Sequence, residues 1–358
     1  MTSVYLNSIA TAVPPNDVHG AFLHFARSQL VEDRRGSLLF KRMAEKGGID
    51  HRYSYLVPAN DLDGDVLDAD ALFVRGRFPN TAARMVFFET HAPKLAAEAV
   101  ERLLPEAEDR HRTTHLLITS CTGLSSPGLD MELIERCGLP GSVERTTLGF
   151  MGCYAAINAL KLARHIVRSD STARVLIVNV ELCTVHLKET TDLQQILSFL
   201  LWGDGCAASL VTAEPKGIEL DSFKAVLAPD TRELMTWSIR DSGFDMLLSG
   251  QVPTAVHDAV CGHADSILDG ASASSIDLWG VHPGGRSILD AVERALDLAP
   301  AALDASRDVL RRFGNMSSAT VMFVMESLLR KAPAGAAGCA MAFGPGLVAE
   351  TMLFHAVG

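Results

Sequence analysis

The chain has 358 residues, 48% of them apolar and only 6% aromatic, with a formal net charge of −11; this is the composition of a tightly packed α/β protein, without the basic stripe that nucleic-acid binding needs. Its seven cysteines are scattered, odd in number and free of any C-x-x-C pair, which argues against a disulfide framework or a zinc site and for reduced thiols in the cytoplasm. No apolar run reaches the length of a membrane span and the opening MTSVYLNSIATAVPP lacks a basic n-region, so neither an integral membrane segment nor a signal peptide is expected.

Residues 4–13 alternate enough for a first strand that stops at Pro14-Pro15. Residues 18–46 read as helical with a basic end, and Arg34, Arg35, Lys41, Arg42, Lys46 and Arg52 form the one local concentration of positive charge. The acidic run DLDGDVLDAD (61–70) has no apolar face and is expected to be a solvated loop. A long helix is predicted over 80–104, with Asn80 as its N-cap and a bend at Pro93. Short apolar strands then follow at 114–121, 173–182 and 205–213, and again at 276–282, 338–344 and 350–357. Apolar strands with helices between them predict a sheet covered on both faces. The polar break at 214–217 divides the chain into halves, 1–213 and 214–358. Each half places a reactive residue where a strand hands over to a helix, Cys153 in the first and His282 in the second, a hint of internal duplication.

Cys153, in GFMGCYAAINALKLARH (149–165), directly precedes an apolar helical pattern whose only polar stripe is Asn158, Lys161, Arg164 or His165, and Arg168. A thiol at a helix amino end feels the positive end of the backbone dipole, which favours thiolate. The plain alternative is a small residue in a tight Gly-Cys turn. In LWGVHPGGRSILDAVERAL (278–296), His282 ends a strand and two glycines allow close approach. An imidazole there can take a thiol proton or donate to an oxyanion, and it can equally be a structural histidine. Asn315, in RFGNMSSATVMFVMESLL (312–329), offers a neutral amide that could orient the histidine or donate to a carbonyl, and in isolation reads as an N-cap. AFGPGLVAE (342–350) holds the turn Gly344-Pro345-Gly346, a candidate border for a pocket.

Taken together, GFMGCYAAINAL, WGVHPGGRSILDAVE, GNMSSATVMFVME and AFGPGLVAETMLF resemble, in order and spacing, the motifs of the type III polyketide synthases, the chalcone-synthase-like branch of the thiolase superfamily. The resemblance implies a thiolase-like, duplicated, five-layered αβαβα fold, a homodimer, and acyl-CoA and malonyl-CoA thioesters as substrates, with no metal or redox cofactor. It implies that Cys153 accepts the starter acyl group, that His282 holds Cys153 as thiolate, and that His282 and Asn315 together stabilise the enolate left when malonyl-CoA loses CO2. The family's gatekeeper position falls on Trp202 and its second on Met246, with Phe244 close enough to compete. Cys121, Thr122, Cys183, His186, Trp237 and Ser317 would line the cavity; Cys121, Cys183 and His186 replace threonines of the plant pattern, which puts a flavonoid starter in doubt. The CoA phosphates would meet Arg42 and Lys46, while a third basic position is taken by Leu39 with Lys41 beside it.

The stretch TSCTGLSSPGLD (119–130) is most similar to synthases that extend fatty acyl-CoA starters, which implies an alkylresorcinol or alkylpyrone product and a tunnel lined by Cys121 and Cys183. A synthase making a small aromatic or pyrone is the alternative within the family. A 3-oxoacyl synthase that initiates fatty acids and a non-catalytic thiolase-fold scaffold lie further off. A papain-like hydrolase would carry a Cys-Trp loop near its amino end and secretory disulfides, and this chain has neither.

Overall fold

Several strands of this chain are apolar on both faces, and the computed structural model, which describes residues 2–357, gives the reason. The principal strands are β1 (Tyr5–Ala12), β2 (His115–Ser120), β3 (Glu144–Gly149), β4 (Val175–Leu182), β5 (Asp204–Thr212), β6 (Gly217–Leu227), β7 (Met235–Arg240), β8 (Gly243–Leu248), β9 (Leu278–Val281), β10 (Ala337–Gly344) and β11 (Val348–Val357). The principal helices are α1 (His19–Gln29), α2 (Arg34–Gly47), α3 (Thr81–Leu103), α4 (Ala155–Ser169), α5 (Leu193–Phe199), α6 (Val252–Gly262), α7 (Arg286–Ala295) and α8 (Thr320–Leu329).

Nine strands form one sheet in the order β9-β10-β11-β6-β1-β5-β4-β2-β3. The two flanks repeat one another. β1 runs antiparallel to β5, β5 antiparallel to β4, and β4 parallel to β2. In the same sense β6 runs antiparallel to β11, β11 antiparallel to β10, and β10 parallel to β9. The join between flanks is slight, two register pairs between β1 and β6. The duplication hinted at by the strand–helix handovers is therefore written in the topology.

Side chains of a strand alternate between its faces, and here each face has its own layer of helix. On β4, Leu176, Val178 and Val180 pack with α3, while Val175 and Ile177 turn to α4. On β10, Ala340 and Ala342 join the same central core, whereas Cys339, Met341 and Phe343 pack with α6 and α7. The layers thus run α3, sheet, α4 with α8, sheet, α6 with α7: the five-layered αβαβα arrangement. Each fully buried Leu, Ile or Val contributes roughly 1.5–3 kcal/mol by leaving water. The polar stripe of α4 fits this central position, because Lys161 reaches across to Glu350 on β11 at 2.7 Å.

Several expectations need correction. Residues 18–46 form two helices, parted at 30–33, where Asp33 caps α2 by accepting the N–H of Gly36 at 2.9 Å. Helix α3 is as expected one helix, with its Asn80 cap and with Pro93 inside it. Within the acidic run, Asp68 is buried rather than solvated, and it accepts the backbone N–H groups of Asp70, Leu72 and Phe73.

Candidate active site

Both central helices begin in a single 3₁₀ turn, Gly152–Tyr154 before α4 and Ser317–Ala319 before α8. Cys153 sits in the first of these. Gly152 is left-handed at φ 77°, and a Cβ there would stand 2.1 Å from Cδ of Pro345. Only glycine fits, which is why the nucleophile loop reads Gly-Cys. The Gly152 N–H donates to Sγ of Cys121 at 3.0 Å. Sγ of Cys153 faces Oγ of Ser317 at a loose 3.9 Å.

His282 follows β9 immediately, its N–H donating to the carbonyl of Met341 at 2.8 Å. Its side chain is buried, and neither ring nitrogen has a partner among the described residues. Asn315 is fixed from both sides of its backbone: its N–H donates to Leu201 at 2.7 Å and its carbonyl accepts from Gly203 at 3.0 Å. Its side-chain oxygen is used up by Ser317 N–H at 2.9 Å and Thr320 Oγ1 at 3.3 Å. The side-chain NH₂, by contrast, has a long contact to the Gly284 carbonyl, at 3.4 Å, and is otherwise turned to the Cys153 thiol. Asn315 is thus a cap through Oδ1 and a presented donor through Nδ2; the two readings of it coexist.

These three residues border one cavity of about 1010 Å³, walled otherwise by α2, α5, the β7–β8 hairpin, α6 and α7. Burial sets their protonation. It pushes the Cys153 thiol up to about 12, outweighing the hydrogen bonds from Ser317 and Asn315. The same desolvation pushes His282 down to about 3. Desolvation thus works against the dipole at the amino end of α4, and for each group taken singly it favours the neutral form.

Trp202, Met246, Cys121, Thr122, Cys183, Trp237, Ser317 and Pro345 border this cavity. Phe244 and His186 do not. His186 lies behind the wall, stacked on Phe244 at 4.0 Å, donating from Nε2 to the Thr122 carbonyl at 2.7 Å and accepting the Phe244 N–H at Nδ1, 3.2 Å. Phe244 therefore belongs to the support of the hairpin, and Met246, opposite Trp237 in register, is the residue of the pair that meets the cavity. Gly344 also lies off the cavity, since a Cβ there would meet the Tyr154 ring at 2.6 Å, and Gly346 is the outer residue of the turn.

Of the basic residues, Lys46 borders the cavity; Lys41 and Arg42 are exposed and do not. Lys41 faces Glu45 one turn along α2, at 4.0 Å. Arg286, missed from the sequence, does border it, donating from Nη1 to the Lys46 carbonyl at 3.3 Å. Its position as the first residue of a helix after Pro-Gly-Gly was the available signal. Glu181 was missed as well, although it is the one charged residue in the apolar strand VLIVNVEL. Fully buried, it accepts from Cys121 N–H and Thr122 Oγ1, both at 2.9 Å, and from Ser318 Oγ at 2.5 Å, while burial pushes its carboxyl up to about 7.

Comparison with known proteins adds to this geometry. Residues 4–215 match the sequence pattern described as "Chalcone and stilbene synthases, N-terminal domain", and residues 219–358 match that of the C-terminal domain. Bisdemethoxycurcumin synthase of Oryza sativa subsp. japonica is 34% identical, over 98% of this chain and 91% of its own. The "Alpha-pyrone synthesis polyketide synthase-like Pks18" of Mycobacterium tuberculosis is also 34% identical, over 82% of this chain and 78% of its own. Among solved structures, the C-terminal type III polyketide synthase domain of Steely1 from Dictyostelium superposes with a TM-score of 0.90 at 24% identity, covering 99% of this chain and 100% of that one. CsyB complexed with CoA-SH superposes with a TM-score of 0.87 at 23% identity, again over 99% and 100%.

Proposed function

The chain belongs to the chalcone and stilbene synthase family and is a type III polyketide synthase, an acyltransferase, and from that premise we propose that it loads a fatty acyl group from CoA onto Cys153, extends it with malonyl-CoA, and cyclises the product to an alkylpyrone or alkylresorcinol. One observation carries the reading: a buried thiol, an imidazole with two unpartnered nitrogens and a presented amide N–H meet at one roomy, largely apolar cavity.

The steps follow from the protonation states. As the thioester enters, His282 takes the Cys153 proton, and the thiolate attacks the acyl carbonyl while the Asn315 NH₂ donates to the oxygen that becomes negative. The carbon–sulfur bond to CoA breaks, CoA leaves as thiol with the proton held by His282, and the acyl group remains on Cys153. Malonyl-CoA then loses CO2; the electron pair so released forms an enolate whose oxygen is held by Asn315 and His282. Its carbon attacks the acyl group, and Cys153 leaves as thiolate. Residues 1–213 would supply the nucleophile and residues 214–358 the His and Asn donors.

CoA recognition would use Lys46 and Arg286 at the cavity border, and CsyB, a structural neighbour, was solved with CoA-SH. The similarity to Pks18 supports a pyrone-type product. The equal identity to the rice enzyme keeps an aromatic or short starter as the second reading. We take the active form to be a homodimer, which light scattering tests directly. The deciding experiment is mass spectrometry of products from malonyl-CoA with a starter panel. Triketide or tetraketide products from dodecanoyl- to octadecanoyl-CoA support the fatty-acyl reading. Products only from short or aromatic starters refute it.

A further inference from the structure

Trp202 borders two cavities. One is the site described above; the other, of about 80 Å³, lies between α1, the loop over 56–73 and Phe199, with Phe22, Phe25, Leu62, Leu67 and Phe73 among its walls. The chain passes from one to the other in a single step after β4, since Cys183 borders the first and Thr184 the second.

Behind Cys121 the wall of the main cavity is tied by hydrogen bonds and stacking. Trp237 donates from Nε1 to the Cys121 carbonyl at 2.7 Å, and the stacked pair His186–Phe244 stands behind Thr122. The Trp202 indole is fastened much less firmly. Its backbone is pinned by Arg52, whose Nη1 donates to its carbonyl at 2.9 Å, and by the bridge to Asn315. Its Nε1, however, is buried with no partner among the described residues. A buried indole N–H usually finds an acceptor; here rotation of the ring breaks no hydrogen bond.

We propose that the second cavity receives the far end of the acyl chain carried by Cys153, with Trp202 as a partition that turns aside for chains long enough to reach it. The proposal rests on Cys153 as the acyl-bearing residue. The occupant is an uncharged alkyl end. The walls are mostly apolar; Arg52 and Asp68 also border the cavity, Asp68 held by the backbone N–H groups of its own loop and Arg52 by the carbonyls of Phe199 and Trp202. The covering loop exposes Asp61, Asp63 and Asp65, which would repel the carboxylate of a free fatty acid entering from outside. Leu56, Leu62 and Leu67 are half-buried, so the cavity lies just under that loop and has room only for the last carbons of a chain.

The test is positional. Cys153 is loaded from hexadecanoyl-CoA and from hexanoyl-CoA, each carrying a terminal diazirine; the protein is photolysed and the adducts are mapped by peptide mass spectrometry. The long chain should label α1 or residues 62–73, and the short chain only walls of the first cavity. Long-chain adducts confined to the first cavity overturn the proposal. A second arm fills the new cavity with Ala21→Phe, which borders it from α1. The ratio of hexanoyl to hexadecanoyl turnover should rise at least about tenfold, whereas equal loss for both starters again overturns it. If intact-mass spectra show no acyl group on Cys153 from any thioester, it is the acyl-carrier reading that falls; normal loading with all label in the first cavity sinks the second cavity alone.

Discussion

Replacing His282 by alanine isolates what the imidazole does for the thiol. Cys153 is held at about 12 by burial, so at pH 7 a thiol acting alone would be thiolate to a fraction on the order of 10⁻⁵, and its reactivity would climb a decade per pH unit. His282 is held at about 3 by the same desolvation acting in the opposite direction. Neither group ionises alone. Passing the proton from sulfur to ring exchanges two neutral groups for an ion pair at the border of one cavity, and the two would then titrate as a unit rather than at either separate value. Wild-type Cys153 should therefore react with iodoacetamide at a rate nearly level around neutral pH. In His282→Ala the rate at pH 7 should fall at least about 100-fold, the lower end of what a positioned base supplies. It should then rise log-linearly to the alkaline limit of the assay. Peptide-resolved mass spectrometry makes this measurable, because Cys261 is exposed and serves as an internal reference that the substitution leaves alone. If the variant keeps the wild-type rate at pH 7, or if the two pH profiles rise in parallel, His282 is not the proton acceptor.

Asn315→Ala should still acylate Cys153, seen by intact mass, but lose malonyl-CoA decarboxylation by roughly 100-fold or more, since the amide NH₂ is the donor presented to the enolate oxygen; equal loss of both steps contradicts that division. Arg286→Ala should raise KM several-fold, about 1 kcal/mol for an exposed charge on a phosphate, for CoA thioesters and not for N-acetylcysteamine thioesters, which have no phosphates. Glu181→Gln tests the buried carboxyl, whose folded value of about 7 stands above its ordinary 4.5. The folded chain keeps that proton to higher pH, so the group's contribution to stability is fully present below about 4.5 and is lost as pH rises to about 7, a swing of roughly 3 kcal/mol. Urea denaturation should show the variant gaining that much on wild type between those pH values, and a pH-independent difference would mean Glu181 does not titrate there.

What was legible in the sequence is what local backbone chemistry dictates. Cys153, His282 and Asn315 each stand at the start of an element, beside glycines that the turn requires, as at Gly152 with φ 77°. Strands buried on both faces announce themselves by continuous apolar runs, and β2, β4, β5 and β10 did so. Strand β3 did not: it is the sheet's edge, its first four residues are exposed, and ERTTLG carries no apolar pattern to read. Strand β6 and the β7–β8 hairpin are half-solvated and failed for the same reason. His186 shows a different limit. Its neighbourhood was foreseen, but which side of a one-residue-thick wall it occupies depends on the hairpin that stacks against it, hundreds of atoms of packing that spacing does not encode. Lys41, Arg42 and Lys46 share one amphipathic helix, and only the docking of α7, with Arg286 on the Lys46 carbonyl, decides which of them meets the cavity.

The protonation states also explain why the site lies between the halves. Burial favours the neutral forms of the thiol and the imidazole, and in those forms burying them with an amide carries none of the penalty of burying charge. Glu181, an acid close behind them, would hinder a thiolate, since its charge pushes Cys153 up; burial, which raises its carboxyl to about 7 against three donors that favour the ionised form, limits that charge. When the thiolate and later the enolate form, they do so at the amino ends of α4 and α8, the two helices of the central layer, where the helix dipoles favour negative charge. One half alone would offer a single such helix end, with either the sulfur or the amide donor. Duplication brings two to the same cavity, so that the charge born in acyl transfer and the charge born in decarboxylation can be held at one place without a metal ligand or a fixed cation among the three residues.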